Sequence, residues 1–196
     1  MENKPKIAIL GFGSLIWEKR PEFDNWHEDW QKDGPTLQIE FSRISKTTRM
    51  GALTLVIDPV HGTETRVAWC ISKRKDPDDA FCDLRCREGT TIDNIGKMLI
   101  SDGLPSEQPA WLRVIYNWAI GKGKDAVVWT DLKSNFEEIE KRRFSTENAI
   151  EYIQTRLTPE GKVKAAEYVW RAPDFVKTPL RNILQSEPWF PKPKDA

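Results

Sequence analysis

A short apolar run that ends at two closely spaced glycines is the feature that most constrains this chain. Residues 7–10 read Ile-Ala-Ile-Leu, which is typical of a buried strand, and Gly11 and Gly13 follow before Ser14 and Leu15. Because glycine has no Cβ, such a loop allows backbone N–H groups to approach an anionic or carbonyl oxygen closely. The stretch predicts a ligand-binding loop after a buried strand, or alternatively a tight exit from the strand without a ligand.

A dinucleotide-binding loop is a weaker interpretation of the same stretch. The Gly-x-Gly-x-x-Gly fingerprint requires a third glycine where this chain has Ile16. The residues that follow, Glu-Lys-Arg-Pro at 18–21, do not continue the helix that such a fingerprint opens. The sequence therefore argues against a nicotinamide cofactor at this loop.

The balance of charge argues against two classes of partner. The 196 residues contain 30 basic and 30 acidic side chains, so the formal net charge is zero. Without a global positive field, binding to nucleic acid or to a membrane surface is not expected. No apolar run approaches the ~18 residues of a membrane span, and residues 1–4 lead into a short strand rather than a signal peptide. Because no Gly-, Ser- or Pro-rich linker divides the chain, we expect one cytoplasmic domain over residues 1–196.

The three cysteines predict neither a disulfide framework nor a metal site. Cys70, Cys82 and Cys86 are odd in number and lack the Cys-x-x-Cys spacing of zinc ligands. Cys82 and Cys86 would share one helix face, but a metal ion would need two more ligands there. Nothing in the sequence brings His27 or His61 to them. We therefore expect reduced thiols and no bound metal.

Periodicity and turn chemistry predict an α+β domain. The predicted strands lie at residues 7–10, 36–44, 52–57, 65–72 and 127–129. Turn residues at 58–62 predict a hairpin between the third and fourth of these strands, and hence a mainly antiparallel sheet. The predicted helices lie at 76–88, 91–99 and 108–120, although residues 114–116 would also suit a strand, and three more helices begin after Ser145, Thr158 and Thr178. The chain thus places its sheet first and a helical part from about residue 136.

A second polar stretch, Leu-Arg-Cys-Arg-Glu-Gly-Thr at residues 84–90, ends the first predicted helix. Glu88 is an acid near a helix C-terminus, where a negative charge is unfavourable by roughly 0.3–1 kcal/mol. Arg85 and Arg87 flank it and could compensate this charge. On the residues alone, a solvated cluster of ion pairs is the simpler interpretation of Glu88.

Both stretches resemble segments of one known superfamily. Gly-Phe-Gly-Ser-Leu-Ile-Trp at 11–17 resembles the Tyr-Gly-Ser-Leu loop of the γ-glutamylcyclotransferase-like superfamily, and is most similar to its ChaC-type and AIG2-like branches. Arg-Glu-Gly at 87–89 resembles the Gln-Glu-Gly or Arg-Glu-Lys segment of the same proteins. Phe12 stands where the family usually has Tyr, and the His-Arg-Gly-Thr run of the glutathione-degrading ChaC branch is missing.

The resemblance implies a fold and a set of site residues. The implied fold is a mixed, mainly antiparallel sheet that closes into a small barrel flanked by helices. Glu88 is the implied catalytic residue. The implied substrate-binding residues are Gly11, Phe12, Gly13, Ser14 and Leu15.

The implied activity is the cyclisation of a γ-glutamyl amine or peptide to 5-oxoproline, with release of the amine. The substrate carries its own nucleophile, so one carboxylate and the backbone N–H groups of a loop suffice, and neither a cofactor nor a metal is required. The partner is then a small γ-glutamyl compound. The alternative is a non-catalytic binding or regulatory domain that retains the same pocket.

Overall fold

A computed structural model of the chain describes residues 4–194. Residues 1–3, on which the expectation about a signal peptide partly rests, and residues 195–196 lie outside the described part. Two compact units are seen, each built from two separate segments. The first contains the residues up to Leu37 together with Arg66–Leu132, and the second contains Gln38–Thr65 together with the residues from Lys133 onward.

Strands and helices alternate irregularly along the described chain. The strands are β1 (Ile7–Gly11), β2 (Thr36–Ser45), β3 (Ala52–Ile57), β4 (Thr63–Arg66), β5 (Ala68–Ile71), β6 (Ile95–Leu99) and β7 (Ala126–Thr130). The helices are α1 (Pro21–Asp24), α2 (Pro77–Glu88), α3 (Ala110–Gly121), α4 (Phe136–Glu140), α5 (Thr146–Thr155), α6 (Pro159–Arg171) and α7 (Pro179–Ser186). Two 3-10 turns, Ile92–Asn94 and Ile100–Asp102, flank β6.

The first unit is built on a mixed four-stranded sheet in the order β5-β1-β7-β6. The apolar strand β1 lies inside this sheet, antiparallel to β5 and parallel to β7. Ile7 and Ile9 of β1 share one face with Val128, and this face packs against Ala80 and Leu84 of α2. Helix α3 packs against β7, and its Trp111 ring meets the Trp129 ring edge-on.

The second unit contains a three-stranded sheet in the order β3-β2-β4, with β2 and β3 antiparallel. Helix α6 packs against β3, and the rings of Phe41 and Tyr168 meet edge-on with centroids 6.2 Å apart. Helices α5 and α7 complete this packing. Near the start of α7, the buried Arg181 guanidinium donates to the carbonyl oxygens of Ala172, Pro173 and Val176.

The predicted α+β class is confirmed, with helices alone over residues 136–194, but the predicted barrel is not seen. Within the part of the chain that the structure describes, the strands form two separate sheets. β5 and β6 are the edges of the mixed sheet. The outer edge of β5 is covered by irregular backbone, because Glu28 N–H and Gln31 N–H donate to the Ile71 and Trp69 carbonyl oxygens. These two carbonyl groups of β5 would have to pair with another strand to close a barrel, but they are bonded to residues 28–31.

The predicted hairpin between residues 52–57 and 65–72 is wrong. β2 lies between β3 and β4, so these two strands are not paired with each other. Asp58 N–H donates to the Gln38 carbonyl oxygen, and a Cβ on Gly62 would overlap the backbone of Gln38. The turn therefore passes close across β2 and delivers β4 to its other side, which glycine makes possible.

The predicted strand at 65–72 is interrupted, and the predicted helix at 91–99 is wrong. Val67 exchanges backbone hydrogen bonds with Gly34 and Pro35, and this separates β4 from β5. Residues 91–99 form a 3-10 turn followed by β6, which pairs with β7 from Ile95 opposite Thr130 onward. Pairing with a strand some thirty residues away thus overrides the local helical pattern.

Candidate functional site

The glycine loop of the first unit leaves β1 at its end and is largely buried. Gly11, Phe12, Gly13 and Leu15 are buried, whereas Ser14 is half-buried. The loop is the predicted substrate-binding segment, and the structure shows it as a series of turns after the strand. Only a small part of it is therefore open to solvent.

Packing explains the first glycine of the loop. A Cβ on Gly11 would lie 2.5 Å from Cζ3 of Trp30 and 3.2 Å from Cγ1 of Ile16. Any larger residue would displace the Trp30 ring, because atoms of a closely packed core cannot approach to 2.5 Å. At Gly11, the tight exit from the strand is thus a sufficient explanation, without a ligand.

Backbone hydrogen bonds hold the rest of the loop. The N–H of Ile16 donates to the Gly13 carbonyl oxygen at 3.1 Å, and the N–H of Glu18 donates to the Ser14 carbonyl oxygen at 2.9 Å. These bonds turn the chain back on itself directly after the strand. The loop backbone therefore has a defined conformation, and a ligand or another element can make specific contacts with it.

Helix α2 begins and ends as its sequence predicts. The Asp76 side chain accepts from Asp78 N–H, Pro77 occupies the first turn, and Gly89 follows the helix in the left-handed region with φ 59°. Nothing lies within 4 Å of a Cβ built on Gly89, so its backbone conformation alone favours glycine there. Glu88 is consequently the last residue of the helix.

The buried stripe of α2 ends in an arginine, which the sequence analysis missed. Ala80, Leu84 and Arg87 are the buried residues of the helix, spaced four and three apart. That spacing places all three on one face. This spacing is visible in the sequence, and it places Arg87 on the stripe of α2 that packs against the sheet.

Arg87 binds the glycine loop directly. Its Nη2 donates to the Ser14 carbonyl oxygen at 3.1 Å and to the Glu18 carbonyl oxygen at 2.9 Å. Hydrogen bonds from a charged group contribute about 1.5–3 kcal/mol each. Burial lowers the pKa of the Arg87 guanidinium, while the negative charge of Glu88 raises it. The end of α2 is thus fixed to a loop more than seventy positions earlier in the chain.

A second arginine, Arg20, also binds the end of α2. Nη1 of Arg20 donates to the Arg87 carbonyl oxygen at 2.9 Å, and its Nη2 donates to Oε1 of Glu18 at 3.2 Å. Oε2 of Glu18 lies 3.9 Å from Nη2 of Arg87. We call this set of Ser14, Glu18, Arg20 and Arg87 the arginine clasp.

Glu88, the predicted catalytic residue, is half-buried in the turn of α2 that the clasp holds. Arg87 and Arg20 connect this turn to residues 14–20, because Arg87 donates to the Ser14 and Glu18 carbonyl oxygens and Arg20 donates to that of Arg87. The structure therefore brings the two predicted stretches together in one unit. Arg87, the neighbour of Glu88 in this turn, binds the Ser14 carbonyl oxygen of the loop.

A separate groove lies in the second unit, around His61. Its volume is about 270 Å³, and its lining includes Asp58, Ser134 and Glu137. Burial would raise the pKa of Asp58, but hydrogen bonds from the Ser42 hydroxyl and from backbone N–H groups outweigh it and lower this pKa. None of the predicted site residues belongs to this groove.

Residues 4–194 contain neither a cluster of metal-ligating side chains nor a helix that could span a membrane. Among residues 4–194, no three His, Cys, Asp or Glu side chains are arranged to hold a metal ion. Cys70 is buried, and Cys82 and Cys86 are exposed free thiols. No helix in the described range is both long enough and apolar enough to cross a membrane.

Comparisons with models of known protein families, with curated proteins and with solved structures found no match.

Proposed function

We propose that this chain is a γ-glutamylcyclotransferase-like enzyme with the fold of that superfamily. It converts a γ-glutamyl amine or peptide to 5-oxoproline and releases the amine. Glu88 is its acid/base residue, and residues 11–15 form the substrate loop. The alternatives at both stretches, a tight strand exit and a solvated ion cluster, leave the contact between them unexplained.

One observation carries the proposal. Arg87 donates to the Ser14 carbonyl oxygen of the loop and to the Glu18 carbonyl oxygen just after it, and so ties the helix turn that carries Glu88 to the loop. A surface ion cluster does not require a buried arginine, because exposed pairs need no fixed geometry. A proton-transferring carboxylate does require a fixed position relative to the group that binds substrate.

The reaction needs little besides Glu88 and the substrate loop. The α-amine of the γ-glutamyl group attacks its own γ-carbonyl carbon, a C–N bond forms and closes a five-membered ring, and the original amide C–N bond breaks. The proton lost by the α-ammonium, whose pKa is about 8 in free amino groups, passes to Glu88 and then to the departing nitrogen. Backbone N–H groups of the loop stabilise the oxyanion of the intermediate.

Glu88→Gln tests the assignment. Glutamine keeps the size and hydrogen-bonding capacity of the side chain but cannot accept the ammonium proton. We expect the variant to fold and to bind a γ-glutamyl ligand, while turnover falls by a factor on the order of 10²–10⁴. Turnover is measured as 5-oxoproline released from a panel of γ-glutamyl dipeptides, γ-glutamyl amines and glutathione.

Glu64→Gln is the matched control, because Glu64 is an exposed carboxylate on β4 in the second unit. Its turnover should equal that of the wild type. Full activity of Glu88→Gln on whichever substrate the panel identifies would remove Glu88 from the mechanism. A wild type that releases no 5-oxoproline from any member of the panel would remove the enzymatic proposal.

A non-catalytic binding domain is the second candidate, favoured by one observation. Phe12 is 5% exposed and carries no hydroxyl where the resembling proteins have tyrosine, so the loop offers an apolar packing group at that position. In that case calorimetric titration would detect binding of a γ-glutamyl compound without any formation of 5-oxoproline. Glu88→Gln would then change neither the binding nor the stability by more than an exposed ion pair does, roughly 0–1 kcal/mol.

A further inference from the structure

We propose that Arg87 is a positioning residue, which sets Glu88 relative to the glycine loop through the arginine clasp. The inference rests on the proposed function, because a positioning role requires a reaction at Glu88. It adds to that function a residue that neither touches substrate nor appears in either predicted site list.

A charge at this position is not required for packing. The Arg87 side chain is 3% exposed and continues an apolar stripe that Ala80 and Leu84 begin. An apolar residue would fill the same place without the cost of taking a cation out of water. In the described part of the chain, its Nε has no hydrogen-bond partner, which adds to that cost. The guanidinium offsets this cost by donating hydrogen bonds to the Ser14 and Glu18 carbonyl oxygens.

The clasp also acts on a part of the helix that would otherwise move. Glu88 belongs to the last turn of α2, and last turns fray because their carbonyl groups lack intrahelical partners. Arg20 donates to one such carbonyl, that of Arg87 itself. Residues 14–20 therefore bind the helix end both through the Arg87 side chain and through the Arg87 backbone carbonyl.

Fixing Arg87 fixes the direction of its neighbour. Successive residues of an α-helix differ by about 100° around the axis, since 3.6 residues make one turn. With the Arg87 side chain held against the Ser14 and Glu18 carbonyl oxygens, the Cα–Cβ direction of Glu88 relative to the loop is set. Misplacement of a catalytic group by about 1 Å can lower the rate 10²-fold.

Arg87→Lys tests the inference. Lysine keeps the charge, but its nitrogen lies one bond closer to the backbone than Nη2 and its donors are not fixed in a plane, so it cannot hold the Ser14 and Glu18 carbonyl oxygens in the same geometry. We expect kcat to fall by up to about 10²-fold with KM little changed. Arg85→Lys, two residues earlier on the same helix, is the matched control and should leave both constants unchanged.

Two further measurements separate positioning from general damage to the fold. In an Arg87→Ala variant, guanidinium ion at concentrations far below those that unfold proteins should restore part of kcat, whereas urea should not. In a Glu88→Gln background, Arg87→Lys should cause no additional loss, because both changes act on the same step. Additive losses, or equal effects of guanidinium and urea, would overturn the positioning role.

If Arg87→Lys does not fold, Arg20→Gln takes its place, because the Arg20 side chain is 45% exposed and its loss leaves no buried gap. A lower kcat is expected there too, together with faster hydrogen exchange at the Ile16 and Glu18 amides. Unchanged kcat in the folded variants of an active wild type would overturn this inference alone. A wild type without 5-oxoproline formation would overturn the proposed function, and the positioning role with it.

Discussion

Glu40 is a carboxyl group buried in β2 of the second unit, and its ionisation opposes folding. Burial raises the pKa of Glu40 to about 7, although the Phe41 N–H and the Thr178 hydroxyl bond to the carboxylate and lower it. The nearby negative charge of Asp58 raises this pKa further. A buried acid with a raised pKa keeps its proton in the folded state over a range where the unfolded chain has already lost it.

The stability should therefore fall as the pH rises, and Glu40→Gln should remove this dependence. In the unfolded chain the Glu40 carboxyl ionises near pH 4.5, so the penalty is absent below that pH and complete above about pH 7. The shift corresponds to up to about 3 kcal/mol in the free energy of unfolding. We expect Glu40→Gln to be more stable than the wild type at pH 8 and equal to it at pH 4, by urea denaturation.

Glu64→Gln serves as the control for this titration, since Glu64 is an exposed carboxylate in the same unit. It should show no gain in stability at pH 8. A Glu40→Gln variant that is less stable than the wild type at pH 8 would show that the carboxylate is needed charged, and would contradict the prediction.

Single residues also mark the limit of sequence reasoning at the candidate site. The stretch at 11–17 could be identified as a candidate loop from its glycines, whereas Glu88 in the stretch at 84–90 was singled out by its resemblance to a known superfamily. The role of Arg87 could not be predicted from the sequence. The carbonyl groups that it binds belong to Ser14 and Glu18, and a carbonyl group exists at every residue. Its place on a buried stripe was the one visible signal.

At the scale of elements, helix starts were predictable because their chemistry is local. Asp76, Ser145, Thr158 and Thr178 each accept a hydrogen bond from a backbone N–H two or three residues later. A cap needs only its own first turn, so the pattern is complete within a few residues. Strand partners are not local, and this is why β6 and the order β3-β2-β4 were missed.

The pairing of strand β6 with β7 should depend on Gly96, because a residue with a side chain would not fit beside the Trp129 ring of β7. Gly96 is opposite Trp129 in the register of the two strands, and a Cβ there would overlap the indole ring. The Trp129 ring is buried and cannot move away cheaply. We expect Gly96→Ala to lower the free energy of unfolding by about 1–3 kcal/mol, the usual range for overpacking.

Gly121→Ala is the matched control, because Gly121 ends α3 and nothing lies within 4 Å of a Cβ built on it. Alanine favours a helix over glycine by up to about 1 kcal/mol, so this variant should equal or exceed the wild type in stability. Both are measured by thermal and urea denaturation. Equal stability of Gly96→Ala and the wild type would show that the ring yields, and would contradict the close packing described for β6.

At the scale of the whole molecule, the chain crosses between its two units three times. The α+β class was predictable because it depends on which elements exist, and periodicity reveals these. The division into units was not predictable, because it depends on pairing between distant parts of the chain. Strand β1 pairs with β5 and β7, which lie about 60 and 120 positions later. The glycine loop and α2 nevertheless fall in one unit, and this keeps the two predicted stretches of the site together.

The first unit should fold without the second when its two segments are joined by a short linker. Gly34 N–H donates to the Val67 carbonyl oxygen and Val67 N–H donates to the Pro35 carbonyl oxygen, so the chain ends left by removing residues 38–65 are neighbours. A short Gly-Ser linker between Leu37 and Arg66 can therefore replace that segment, with the chain ending at Leu132.

We expect this shortened chain to show a cooperative thermal transition and dispersed amide signals, because it retains all four strands of the mixed sheet, the loop and α2. Residues 66–132 alone should stay unfolded, since they lack β1, the strand that pairs with both β5 and β7. If the linked chain also stays unfolded, the first unit depends on residues 38–65 or on those from Lys133 onward for its stability. The two units would then be parts of one cooperative fold, as the sequence predicted for residues 1–196.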